Sequence, residues 1–148
     1  MFSTIAHEET AKNPKLLNPV TLAYIGDGIY ELLIRSMVVA ENGSMPAYML
    51  HKTSVKFVCA EAQSLGADAI LPLLTEEEEA IYKRGRNSTS SKVPKHADPC
   101  DYRKATAVEA LFGYLYLTDK QERIRELFDV IVNAVKENGE KDEKENRV

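Results

Sequence analysis

Apolar residues recur at helical spacing along most of the chain, and no stretch alternates apolar with polar, so the pattern predicts helices and no strands. The first helix is expected to start at Asn18, an N-cap residue followed by Pro19, where a missing N–H costs nothing. It should run to about Glu41 and stop at Asn42-Gly43. A second start at Ser44-Met45-Pro46 leads into a helix expected to end at Gly66, followed by the apolar connector Ala67–Leu74, broken by Pro72. Thr75 and Glu78 have the spacing of a capping box, and the run Glu76–Glu79 suits the positive end of a helix that continues through Asn87. Ser88–Pro99 is rich in Ser, Thr, Lys and Pro and reads as a mobile loop. Two further helices are expected at about Asp101–Leu117 and Lys120–Glu137, the second opened by a capping box of Asp119 and Glu122. Residues 1–17 form a polar lead-in, 18–138 a single all-α domain, and 139–148 a charged tail expected to be disordered.

One feature of the first helix conflicts with its own propensity. In "LAYIGDGIYELLIRS", Gly26 and Gly28 flank Asp27, and each glycine costs about 0.5–1 kcal/mol relative to alanine in a helix interior. Asp27 can be an exposed acid on the polar face, with Glu31 one turn later beside it. Alternatively, the glycines clear side chains so that a backbone, a metal or an anion can approach. "ATAVEALFGYLYL" repeats the theme: Glu109 interrupts an apolar face and Gly113 follows one turn on. A lone embedded glutamate is more often half of a structural ion pair. If the two glycine-marked helices pack together, Asp27 and Glu109 can share a hard divalent cation such as Mg²⁺, which takes oxygen ligands and keeps several waters.

Composition sharpens this picture at one place. The net charge of the 148-residue chain is −4, so it has no global signature of a nucleic-acid binder. Against that background a basic cluster stands out: Lys83, Arg84 and Arg86, continuing through Lys92, Lys95 and His96 to Arg103 and Lys104. It can be an ordinary solvated face, or a clamp on phosphates with Asn87 reaching a 2′-hydroxyl or phosphate. An acidic pocket beside a basic loop is what metal-assisted phosphodiester cleavage requires. His7, His51 and His96 lack ligand spacing, so no zinc site is expected. Cys59 and Cys100 read as reduced thiols, and with no signal peptide or membrane span in view the expected location is cytoplasmic.

These residues carry a resemblance. "YIGDGIYE" resembles the signature helix of the ribonuclease III family, and "ATAVEALFGYLYL" resembles its second acidic helix. "YKRGRN", the Ser/Lys/Pro loop and "YRKATAVEALFGYLYL" follow in the order of the Mini-ribonuclease III branch, which lacks a double-stranded-RNA-binding domain. The resemblance covers about Asn18–Val135. It implies a homodimeric helical bundle that cleaves double-stranded RNA with Mg²⁺, trimming large-subunit ribosomal RNA precursor. Asp27 then falls on the catalytic aspartate and Glu109 on the metal-binding glutamate, while Ala23 and Thr106 occupy positions where relatives carry two further acids. RNA contacts would come from Lys83, Arg84, Arg86, Asn87, Lys92, Lys95, Arg103 and Lys104, and part of the dimer interface from Tyr24, Ile25 and Ile29. The roles of Glu31 and His96, the number of metals, and any need for a ribosomal protein on the substrate stay open at this level.

Two other functions fit the same composition. One is a catalytically inactive dimer that only binds RNA. The other is an all-α nucleotide pyrophosphohydrolase, which needs glutamates on neighbouring turns of its pocket helices, a pattern found here only at Glu76–Glu79.

Overall fold

In the computed structural model, residues 13–88 and 93–147 are described, and among them every regular element is helical. Six α-helices follow in order: α1 (Pro19–Asn42), α2 (Ala47–Val58), α3 (Ala60–Ile70), α4 (Glu76–Asn87), α5 (Pro99–Leu117) and α6 (Gln121–Asn146). Short 3₁₀ turns lie at Pro14–Leu16 and Leu71–Leu73. The all-α expectation holds. Most of the lead-in, Lys92 and the centre of the expected loop lie outside the described residues. Among the described residues, no helix is long and apolar enough to cross a membrane.

Local chemistry explains most of the boundaries. The Asn18 side chain accepts from Val20 N–H at 2.9 Å and Pro19 opens α1, which ends where Gly43 takes a φ of 60°. Thr75 and Glu78 form the expected capping box of α4, with bonds of 2.9 and 3.2 Å. Asp98 caps α5 by accepting from the N–H groups of Cys100 and Asp101. From Ala105 to Leu115 α5 is buried almost all round, as a helix enclosed by neighbours must be: α1, α3, α4 and α6 all pack on it. Tyr30 of α1 and Phe112 of α5 meet with ring centroids 5.7 Å apart in the centre of the core.

Four expectations need correction. The helix expected from Ser44-Met45-Pro46 to Gly66 is two helices, because Cys59 is extended (ψ 155°). Side chains from elsewhere take carbonyls at the break: Tyr30 Oη donates to Phe57 O at 3.2 Å, and Gln63 Nε2 donates to Val58 O at 3.1 Å. Gly66 is not a stop: α3 runs past it to Ile70, and the glycine instead makes room for α6, since a methyl group there would stand 2.6 Å from Ile131 Cγ2. Asp119 does not cap α6. It takes a φ of 57° in the tight connection after α5, its N–H bonded to Tyr116 O, and α6 begins without a side-chain cap. Finally, α6 continues to Asn146, so residues of the charged tail extend the helix as exposed turns.

The acidic run at the start of α4 does more than complement a dipole. Glu78 is 4% exposed and pairs with Arg123 through two bonds of 2.9 Å, and the same guanidinium holds Leu73 O at 2.8 Å. Burial pushes the Glu78 carboxyl up, but Arg123 and the Thr75 N–H outweigh it and hold it below the usual range. One bidentate pair therefore joins α4, the 3₁₀ turn and α6.

The two glycines of α1 do different work. A methyl group on Gly26 would overlap the Glu109 carbonyl of α5 and stand 2.9 Å from Gly113 N, whereas one on Gly28 would meet nothing within 4 Å of its own chain. Gly26→Ala is therefore expected to lose more than about 2 kcal/mol of stability through backbone overlap, while Gly28→Ala gains up to about 1 kcal/mol of helix propensity. Urea unfolding of the two variants checks this, and equal effects would refute the assignment.

Candidate active site

The α1–α5 crossing builds the site. Gly26 receives the Glu109 carbonyl, and Gly113 receives the Leu22 carbonyl from the other side, so the two helices meet backbone to backbone. Asp27 and Glu109 are thereby fixed on adjoining turns. Burial, and after it the Asp27 charge, push the Glu109 carboxyl up to about 7, against a hydrogen bond from Gln63 that pulls it down. Asp27 itself is exposed, and its carboxyl is raised by partial desolvation and then by Glu31. Glu31 is engaged by Arg35 at 2.7 Å on the next turn.

A second layer surrounds the pair. Tyr30 lies beneath it, its hydroxyl on Phe57 O and its ionisation pushed well up by burial and then by the charges of Cys59 and Glu109. Gln63, 5% exposed, reaches Glu109 from α3. Sequence reasoning passed over Gln63, although its spacing from Gly66, Ala67 and Ile70 puts it on the buried face of α3. The positions expected to carry further acids are closed to that role. Ala23 is buried, and the Thr106 hydroxyl donates to Tyr102 O at 3.0 Å.

The donor set fits a hard cation. It contains two carboxylates beside a buried amide, with no sulfur, and the Asp27 charge adds to the cost of ionising Glu109, which a cation would offset. Among the described residues, no cluster of three or more His, Cys, Asp or Glu side chains that could hold a metal ion comes together, at this pair or elsewhere. His51 lines a cavity of about 290 Å³ between α1 and α2 with Glu31 and Arg35, and His96 is exposed before α5.

The cations divide into two groups. Lys83 pairs with Glu79 at 3.0 Å, Lys104 with Asp68 at 2.9 Å, and Arg84 donates to Lys15 O and Leu17 O, holding the segment before α1 against α4. Lys95, Arg103 and Asn87 are exposed, and the half-buried Arg86 donates to its neighbour Asn87 at 3.4 Å. Lys92 lies outside the described residues. Of the residues expected at a dimer interface, Tyr24 is 85% exposed. Ile25 packs beside Gly113 in its own chain, and Ile29 lines an apolar groove between α1 and α6.

The raised carboxyl at Glu109 has a defined consequence for stability. Because its folded pKa lies above the ordinary 4.5, its contribution is fully present below pH 4.5 and is lost as pH rises through about 7. Metal-free protein is therefore expected to lose on the order of 1–2 kcal/mol between about pH 5 and 8 that Glu109→Gln does not lose. Mg²⁺ should raise Tm more at pH 8 than at pH 5. Thermal melts across that range check both statements, and parallel profiles for the two proteins would refute them.

Comparison with known proteins places this geometry. Residues 20–120 match the Ribonuclease III domain. A protein named Mini-ribonuclease 3 from Clostridium tetani is 40% identical over 136 residues, covering 92% of this chain and 90% of its own. A Mini-ribonuclease 3 from Enterococcus faecalis is 45% identical over 129 residues, 86% of this chain and 97% of its own. The solved structure of a protein from Fusobacterium nucleatum matches with a TM-score of 0.73 at 31% identity, across 80% of this chain and 93% of that one. The matched segment contains both helices of the crossing and both of its carboxylates, and the chain belongs to the ribonuclease III family of endoribonucleases.

Proposed function

We propose that this chain, as a homodimer, cleaves both strands of double-stranded RNA with Mg²⁺ held by Asp27 and Glu109, and that its substrate is the large-subunit ribosomal RNA precursor. The observation that carries this reading is the backbone crossing at Gly26 and Gly113, which brings exposed Asp27 near enough to half-buried Glu109 for their charges to interact. Bound there, Mg²⁺ supplies positive charge at the scissile phosphate and lowers the pKa of a water.

The residues of the chain do the rest. Glu109, anchored by its own backbone at the crossing, presents a carboxylate whose charge is poorly compensated by protein alone. Asp27, one residue past Gly26, reaches it from the exposed side. Arg86, Lys95 and Arg103 neutralise phosphates of the RNA and Asn87 hydrogen-bonds it, with Lys92 expected from sequence to join them, whereas Lys83, Arg84 and Lys104 already hold partners of their own. The pyrophosphohydrolase reading loses its support, since Glu77 bonds Lys15 and Tyr114, Glu78 bonds Arg123 and Glu79 bonds Lys83.

Cleavage of a duplex taken from the precursor ends, with and without Mg²⁺, tests the activity. Asp27→Asn is expected to lose cleavage by at least about 100-fold while retaining RNA binding. In that non-cutting background, Arg86→Ala with Arg103→Ala should flatten the salt dependence of binding by about two in log–log slope. Wild type that binds the duplex without cutting it would identify an inactive binding module, and an unchanged slope would remove the two arginines from the interface.

Dimerisation supplies a second site for the second strand. Tyr24 is 85% exposed and Val20 53% exposed, one turn apart on the outer face of α1, which is a large apolar surface to leave in water. Sedimentation should give a dimer for wild type and a monomer for Tyr24→Asp. A monomeric wild type, or a variant that stays dimeric, would exclude this face.

A further inference from the structure

Gln63 combines features that core packing alone does not require. It is 5% exposed, yet it carries an amide where a leucine would fill the same volume. Its Nε2 donates to Val58 O at 3.1 Å, the last carbonyl of α2, and the amide lies near enough to the Glu109 carboxylate to favour its ionised form. Its Oε1 is buried and finds no donor among the described residues. A buried acceptor without a partner is unfavourable, so the amide is retained for what its nitrogen holds. The adjoining carbonyl, Phe57 O, is taken by Tyr30, so side chains from α1 and α3 grip the same corner from two sides.

We propose that Gln63 is a positioning residue for the metal-binding pair: its amide, anchored on Val58 O and set beside Glu109, fixes the direction of that carboxylate from the α2–α3 corner. The inference rests on the reading of Asp27 and Glu109 given above and adds a residue that touches neither substrate nor the reacting atoms. It also accounts for the break at Cys59. A continuous α2–α3 helix would bond Val58 O within its own backbone and leave the Gln63 amide without that anchor.

Gln63→Met, which preserves length and volume without hydrogen bonds, tests the idea through metal binding and not only through cleavage. Mn²⁺ binding to the RNA-free protein, followed by electron paramagnetic resonance, is expected to weaken by about 10–100-fold, the usual effect of removing a partner of a metal ligand. The Mg²⁺ concentration for half-maximal cleavage should rise by a similar factor, with KM for the duplex unchanged and cleavage restored at high Mg²⁺. A folded variant with unchanged Mn²⁺ affinity and Mg²⁺ midpoint would show that Gln63 serves only to cap α2, and would overturn the proposal. If Gln63→Met melts too low to assay, Gln63→Asn, which keeps the amide one methylene short of Glu109, decides by the same two readouts. Wild type assayed alongside separates the two failures. If wild type neither binds Mn²⁺ nor cuts the duplex, the metal-dependent nuclease reading itself fails. If wild type does both and the variant matches it, only the role of Gln63 falls.

Discussion

Backbone contact between α1 and α5 at Gly26 and Gly113 is the constraint on which the rest of the molecule depends. Helices with side chains at the contact sit 8–10 Å apart, but here the carbonyls of Leu22 and Glu109 occupy the space of absent methyl groups. That proximity has two effects. It buries α5 deeply enough to serve as the core around which α3, α4 and α6 pack, and it forces Asp27 and Glu109 onto adjoining turns. The stability of the domain and the electrostatics of the site therefore arise from one contact. A substitution that separates the helices weakens both together.

Charge is distributed so that this pair stands apart. The glutamates at the start of α4 are nearly all engaged: Glu77 by Lys15 and Tyr114, Glu78 by Arg123, Glu79 by Lys83. Glu31 has Arg35. Asp27 and Glu109 have no cationic partner among the described residues, and the Asp27 charge adds to the burial that raises Glu109. Two acids left in mutual repulsion at the edge of a core cost stability, and a fold that keeps them is one in which a cation or a proton completes the arrangement.

Much of this was legible in the sequence where local chemistry decides. Asn18-Pro19, the Thr75/Glu78 box and the absence of period-two alternation placed helices that the structure contains. The glycines marked the right segment, yet spacing could not separate a glycine that admits a backbone from one that faces open space, because the difference lies in the partner helix. The break at Cys59 was hidden for the same reason. Nothing in "SVKFVCAEAQ" forbids a helix, and the corner forms because Tyr30 and Gln63, distant or on the far side of the bend, take its carbonyls. Asp119 satisfied the spacing of a cap but was needed for a left-handed turn. Basic residues were visible as a cluster, while which of them hold intramolecular partners depended on Lys15, Asp68 and Glu79 lying nearby in space.

The scarcity of carboxylates leads to a final point about how such a site works. With Ala23 buried and Thr106 bonded to its own helix, a cation in the proposed site would draw its negative charge chiefly from Asp27 and Glu109. Glu109 has its carboxyl raised to about 7, so near neutrality a proton would compete with the proposed metal for the same oxygen atoms. A site richer in acids would retain its cation through excess charge. This one must rely on geometry, on a carboxylate whose direction is set by the helix crossing below it and an amide beside it. Order in those neutral groups then substitutes for the missing charge, which is why the apolar crossing and the buried glutamine belong to the chemistry as much as to the core.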